Sequence, residues 1–528
     1  MDGTSPRSNV LLVTVDSLRT DAIGPYDAER RTPVIDDLGD RGVVFERGFA
    51  NGNWTPFSFP SIMASQPVFT DSGRIGVEGR PTIAEVASEA GVSTAGFNAA
   101  NGFLTSYWGY DEGFDEFESF VADVNASIYG KYLATHPTVE AWLQLAASPF
   151  RRLSAKLRGE SDDRPFLDTS RMFDVENAAT EFVASRDDDE PFFLWVHYMD
   201  AHTPYVPAPR YVREVSDQTV GTHRMLLAHT RTGLGLEVGD STLDDLRTLY
   251  QAAVRQVDAS IGRLLDTLDA EGLRDETAVV FAGDHGEEFQ EHGHLAHYPK
   301  LYDELIHVPL LVDAPGVESD RSDRPVGLDA VPPTVADLLG IEAPDAWEGE
   351  SLLSPVDDPA DDPADAESEP AVASDGGAVA GAGTHPEGET AGEEALGGGA
   401  ESPGALTEPP EPVVSVTVRG EELTAQPIPR SLDDGDLLVS ARDADWTYIE
   451  NADTGEAELY HRPSDPDQQE NLADDPTPER EAAIERLAPA VASHIARLRE
   501  EAAALDDAGD EEEINEDLEA QLSALGYR

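Results

Sequence analysis

Residues Thr277–His297 read TAVVFAGDHGEEFQEHGHLAH. The first seven are a short apolar run, as expected of a strand covered on both faces. The remainder carries four histidines and four acidic residues. Asp284 and His285 stand where the strand stops, and His292, His294 and His297 follow within a dozen residues. A solvated loop would account for such a run, and so would a metal site. The rest of the chain decides between them.

Runs of the same character occur on either side. "NVLLVTV" (Asn9–Val15), "VSTAGF", "FFLWVHY" (Phe192–Tyr198) and "VPLLVDAPG" read as strands. "TIAEVASEAG" (Thr82–Gly91) has helical spacing and a terminal glycine. Tyr250–Ala270 places Val254, Val257, Ile261, Leu264, Leu265 and Leu268 on one helical face. This alternation predicts an α/β body over residues 1–353, with a mainly parallel central sheet flanked by helices. Residues 354–411 are Asp, Glu, Ala, Gly and Pro with almost no large apolar side chain. They cannot bury enough surface to offset ordering entropy, which predicts a disordered acidic linker. Over residues 412–528, "PVVSVTVRG", "DLLVSARD" and "WTYIENADTGEAELYHR" read as strands with "DTG" as a turn. Helical patterns follow at Pro478–Ala504 and Ile514–Leu525, predicting a small α+β C-terminal unit.

The chain has 528 residues, enough for one large core and a smaller one. Acids outnumber bases 105 to 36, a formal charge of −69. That disfavours nucleic acid and anionic membranes, which are polyanions. The acidity is spread along the chain, as in proteins adapted to high salt, where screening weakens self-repulsion. There is no cysteine, which excludes disulfides, thiolate zinc sites and cysteine nucleophiles. The opening "MDGTSPRSNV" lacks the basic stretch and apolar core of a signal peptide. The longest apolar runs are too short to span a bilayer. These features predict a soluble, cytoplasmic protein.

In open α/β sheets, ligands bind beyond the carboxyl ends of the strands. Here those ends are rich in carboxylates and imidazoles: Asp16 on the first strand; His197, Asp200 and His202 on the third; Asp284 and His285 on the fourth. Asp16 alone would serve as a helix cap. Three strand ends together, offering oxygen and nitrogen but no sulfur, suit a divalent metal such as Mn²⁺ or Zn²⁺. A nucleophile is available in "NWTPFSFPSIMAS" (Asn53–Ser65). Thr55 followed by Pro56 fits a helix start, a helix N-terminus binds anions, and a metal-ligated hydroxyl is activated. Pro60 is awkward within the first turns, so a start nearer Ser58 is the alternative, with Ser58 as the competing nucleophile.

Six ordered segments carry a resemblance: "NVLLVTVDSLRTDAIGPYD", "WTPFSFPSIMAS", "FFLWVHYMDAHTPY", "VVFAGDHGEEFQEHG", "LYDELIHVPLLV" and "ELYHRPSDPDQQENLADD". Together they resemble the sulfatase family within the alkaline phosphatase superfamily. The resemblance implies that Asp16, Asp284 and His285 are metal ligands and that Thr55 is both fourth ligand and nucleophile. It implies that His202 contacts the anionic oxygens of the substrate. His292 and His297 fall where relatives place a basic substrate-binding residue or ligands for a second metal, and either would protonate the leaving oxygen. His294, His197 and Asp200 read as residues of a solvated loop or turn. Mn²⁺ or Zn²⁺ is favoured, with Ca²⁺ and Mg²⁺ as alternatives.

The departures bear on substrate. Typical sulfatases carry Cys or Ser in a C/S-x-P-x-R motif that is converted to formylglycine. Here Thr55 takes that position and Phe59 that of the Arg; alignment on Ser58 puts Ile62 there instead. Neither register supports formylglycine. Relatives with an unmodified Thr are mostly phosphodiesterases and phosphotransferases. His285 where many sulfatases have Asn, and Ser17 where many have Asp, point the same way. The expectation is a metal-dependent hydrolase of a sulfate or phosphate/phosphonate ester, its substrate a small anionic ester such as a sulfated or phosphorylated glycan or lipid. Phosphotransfer, silent anion binding and a scaffold whose acidic linker recruits a protein partner are the alternatives.

Overall fold

The computed structural model describes residues 9–70, 73–121, 171–186, 190–217, 220–233, 238–353, 411–420, 429 and 431–508. The acidic segment 354–410 and the helical pattern Ile514–Leu525 lie outside them.

The main sheet is built from β1 (Asn9–Val15), β2 (Val43–Phe49), β3 (Ser93–Asn98), β4 (Glu116–Glu118), β5 (Phe192–Tyr198) and β6 (Thr277–Gly283). A hairpin, β7 (Glu288–Phe289) and β8 (Leu295–Ala296), stands apart from it, and β9 (Leu310–Asp313) and β10 (Asp320–Gly327) complete it. The order is β10-β2-β9-β6-β1-β5-β3-β4. All neighbours are parallel except the two pairings of β9. The sheet is therefore mainly parallel, as expected, with "VPLLV" as its one reversed strand. Strands β2 and β10 were not read from the sequence: charged residues interrupt both, with Glu46 exposed in the middle of β2 and only Pro325–Gly327 of β10 buried.

Every residue of β1, β5 and β6 is buried, the signature of strands covered on both faces. Alternation sorts their side chains. Leu11, Val13 and Val15 enter one core with the helices Met172–Ala184 and Asp240–Ala270. Val10 and Leu12 enter the other, with Phe59 and Ile62 of the helix Thr55–Ala64. Extending the period of two, Asp16, His197 and Asp284 share the second face.

A second sheet of β11 (Val413–Arg419), β12 (Asp436–Arg442), β13 (Trp446–Asn451) and β14 (Ala457–His461) is antiparallel throughout. It packs with the helix Pro478–Ala508. Val416 bridges to Gly52, and Ser415 Oγ donates to the Ala50 carbonyl at 2.7 Å, tying this sheet to the chain just before Thr55.

Candidate active site

Register brings the two aspartates together. In the parallel ladder Val15 pairs with Gly283, so Asp16 and Asp284 are the next residues on adjacent strands. The ladder runs one step further: Asp16 N–H donates to the Tyr198 carbonyl at 2.8 Å, and Asp284 N–H to that of Val15 at 3.3 Å. The chain then breaks at Ser17, whose left-handed φ of 57° turns its N–H onto Asp284 Oδ1 at 3.1 Å. His285 N–H donates to the same oxygen at 2.7 Å.

Asp16, Asp284 and His285 are buried, and each offers a ligand atom within 4.8 Å of the others. His285 Nδ1 lies 2.9 Å from the Gly286 carbonyl, so this nitrogen carries the proton. The Nε2 lone pair then faces Asp16 Oδ1 at 3.6 Å and Asp284 Oδ2 at 3.7 Å. His285 Nε2 and Asp284 Oδ2 have no hydrogen-bond partner among the described residues. The bare His285 Nε2 and Asp284 Oδ2 face Asp16 Oδ1 with no donor between them, an arrangement that a cation among the three would relieve. The donor set, two carboxylates and an imidazole fixed through its far nitrogen, fits a divalent metal. Burial pushes the Asp16 carboxyl up, but His202, His197 and His285 outweigh it and hold Asp16 well below the usual carboxylate range. Burial, followed by the Asp16 charge, pushes Asp284 well above it.

Thr55 is the first residue of its helix, after Trp54 in extended conformation. The helix includes Pro60, so the start nearer Ser58 is not adopted. Every residue of this helix is buried, and that packing offsets the hydrogen bond Pro60 cannot donate. Thr55 Oγ1 donates to Asp16 Oδ2 at 3.2 Å. Ser58 Oγ, buried on the same helix, has no hydrogen-bond partner among the described residues.

His202 and His297 meet at Nε2···Nε2 3.0 Å, and the His297 ring centroid is 4.9 Å from that of His285. At that separation one Nε2 must carry a proton and the other accept it. Burial pushes both imidazoles down, and for His297 the neighbours His285 and His202 add to the effect. Trp54 Nε1 donates to the His297 carbonyl, and Asn53 Nδ2 to that of Tyr298 at 2.8 Å, joining this loop to the residues before Thr55.

His292 is held by other groups. Its Nδ1 lies 2.6 Å from Glu304 Oε1, its Nε2 3.0 Å from the Gln468 carbonyl, and its ring stacks on Tyr302 at 3.7 Å. His294 Nδ1 lies 3.2 Å from the His292 carbonyl. The solvated reading of His197 and Asp200 is corrected. His197 is fully buried, edge-on to Phe59, with Nε2 3.7 Å from Asp16 Oδ2, because β5 is covered on both faces and His197 lies on the face it shares with Asp16. Asp200 is buried and accepts from Gln256 Nε2 at 2.7 Å.

Asn101 was not among the expected site residues. Its Oδ1 accepts Phe103 N–H at 3.0 Å, which aims Nδ2 at Asp16 Oδ2, 3.0 Å away, and at Thr55 Oγ1, 3.3 Å away. It follows β3, and attention to the end of "VSTAGF" would have found it. Glu287, fully buried and bonded by the Tyr205 hydroxyl, was also missed.

Fold and site together define a hydrolase of sulfuric or phosphoric esters. The Sulfatase family model matches residues 8–341, and the chain belongs to the sulfatase family, within the alkaline phosphatase superfamily. The uncharacterized sulfatase YidJ of Escherichia coli (strain K12) is 27% identical over 374 residues, 66% of this chain and 71% of that protein. The phosphonate monoester hydrolase of Agrobacterium radiobacter shares the fold at a TM-score of 0.58 and 19% identity, covering 93% of this chain and 95% of that one. BT4656, solved with its substrate D-glucosamine-2-N, 6-O-disulfate, gives 0.61 at 16% identity over 94% and 98%. Among the described residues no helix is long and apolar enough to cross a membrane.

Proposed function

We propose that this chain hydrolyses phosphate or phosphonate esters in preference to sulfate esters, with Thr55 as nucleophile and a divalent metal held by Asp16, Asp284, His285 and Thr55. One observation carries the reading: a Thr hydroxyl, not a residue convertible to formylglycine, bonds to Asp16 at the head of a buried helix. The similarity to a phosphonate monoester hydrolase supports it. Mn²⁺ or Zn²⁺ suits the mixed oxygen and nitrogen donors. When bound, such an ion supplies Lewis acidity, lowering the pKa of a ligated hydroxyl and drawing charge from the ester oxygens.

The protein groups do the rest. The hydroxyl of Thr55 gives its hydrogen bond to Asp16, and Asn101 Nδ2 points at the same oxygen, leaving a lone pair for attack. The Thr55 Oγ1–P bond forms as the bond from phosphorus to the leaving oxygen breaks, and the Thr55 hydroxyl proton passes to Asp16 Oδ2, its hydrogen-bond acceptor. One imidazole of the His202–His297 pair, doubly protonated beside Asp16 and the bound anionic ester, gives its Nε2 proton to the leaving oxygen and returns to the neutral form. With both its nitrogens engaged, His292 is the weaker candidate for this step and takes a structural part. Water then attacks phosphorus as the P–Oγ1 bond breaks; its proton goes to the imidazole that gave one up, and Thr55 Oγ1 recovers a proton from Asp16. A formylglycine hydrate can expel sulfate through its second hydroxyl; Thr55 has none, so the second displacement must again occur at the central atom, which favours phosphorus.

The test is a screen of 4-nitrophenyl sulfate, phosphate, a phosphodiester and a phenylphosphonate in molar salt with Mn²⁺, Zn²⁺, Mg²⁺ or Ca²⁺. Metal-dependent turnover led by a phosphorus ester is expected. Sulfate as the best substrate, or no metal dependence, contradicts the reading.

A further inference from the structure

The loop that carries His297 is closed by an ion pair with no part in the reaction just described. Glu288, on β7, is fully buried. Its Oε1 accepts the backbone N–H of His292 at 3.0 Å and of His294 at 2.7 Å. Its Oε2 accepts from Lys300 Nζ at 2.9 Å, and Lys300 Nζ also donates to the His292 carbonyl at 2.8 Å. The Lys300 side chain is itself only 11% exposed. These contacts bracket residues 289–299, with His297 inside.

The loop's own strand pairing is short. Its ladder has two residue pairs, Glu288 with Ala296 and Phe289 with Leu295. Gln290 and Ala296 hold left-handed φ values of 70° and 69°. Non-glycine residues keep such conformations only where the surroundings over-determine them. Ala296 directly precedes His297, so the geometry of Ala296 aims the imidazole. A buried Glu–Lys pair adds little stability over apolar side chains of the same volume. Its distinctive property is direction: the carboxylate needs several donors at set angles, and here a single loop conformation supplies them.

We propose that Glu288 and Lys300 are positioning residues for His297. They hold its ring against His202 at the spacing that delivers a proton to the leaving oxygen. The proposal rests on the reading of the His202–His297 pair as general acid.

The experiment compares kcat/KM for the 4-nitrophenyl and the unsubstituted phenyl ester of whichever acid the wild type turns over. Phenolate is the poorer leaving group and depends more on protonation. Glu288→Gln, Lys300→Met and Lys300→Arg are measured beside His297→Ala. The ratio of the two rates is independent of how much protein is folded. Glu288→Gln and Lys300→Met should each lose about 10- to 100-fold more on the phenyl ester than on the nitrophenyl ester, part of what a positioned acid contributes. Lys300→Arg should recover most of that difference. Equal loss on both esters, partial or complete, overturns the positioning role. If His297→Ala also loses both esters equally, the acid reading fails; if only the ion-pair variants do, the positioning proposal alone fails.

Discussion

Thr55 Oγ1 stands 3.2 Å from Asp16 Oδ2, where the end of the first strand meets the start of a buried helix. Ser58, one turn further along, has no such partner. Thr55→Ala should therefore lose on the order of 10³-fold or more in kcat, as removal of an activated nucleophile does. Ser58→Ala should stay close to wild type. Steady-state kinetics of both variants check this, and the reverse pattern would move the nucleophile to Ser58.

Removal of metal should expose the repulsion between the two aspartates. Chelation should abolish turnover and lower the melting temperature, because a cation bound only by the native state stabilises it by about 3 kcal/mol at a hundredfold excess over Kd. The sign for Asp284→Asn follows from the raised carboxyl. A carboxyl whose pKa is higher folded than unfolded destabilises the fold once pH exceeds its unfolded value. At neutral pH the metal-free Asp284→Asn protein should then melt above metal-free wild type, while activity falls by orders of magnitude. Calorimetry with and without chelator reads both effects. A metal-free variant that melts below metal-free wild type contradicts the account.

His292 should act on stability. Burial lowers its pKa, but the hydrogen bond and charge of Glu304 outweigh that and raise it above the ordinary imidazole value. A histidine raised in the folded state contributes stability that is complete below its unfolded pKa, about 6.5. That contribution is lost as pH rises through the higher folded value. His292→Gln should be most destabilised near pH 6 and approach wild type at alkaline pH. Melting curves across pH check this; a penalty that grows with pH contradicts it.

Low salt should unfold the chain. With a formal charge of −69, lowering ionic strength from molar to about 0.1 M lengthens the screening distance from about 3 to about 10 Å and strengthens self-repulsion. Circular dichroism over a salt series should show loss of structure at the low end. Full stability in dilute buffer would remove the high-salt reading.

What could be read before the structure follows from locality. Asp16 and Asp284 were legible because each follows a mostly apolar run with no charged residue to blur the strand, and strand ends are where ligands bind. His197 was read as exposed because a polar residue at a strand end suggests a solvated turn, whereas β5 stays covered on both faces to its last residue. Asn101 went unseen because only its helper strand was noticed. The contacts of His292 could not be read: its partner Gln468 lies 176 residues away, and no local pattern reports that contact. The reversal of β9 is likewise a property of pairing, since a short apolar run looks the same in either direction.

The central claim is that Thr55 forms the covalent ester. Acid quenching of the metal-loaded enzyme during turnover of its best substrate, followed by peptide mass spectrometry, tests it most directly. The account predicts a phosphoryl or phosphonyl adduct on Thr55, absent from Thr55→Ala. An adduct on Ser58, or wild-type turnover by Thr55→Ala, would contradict it.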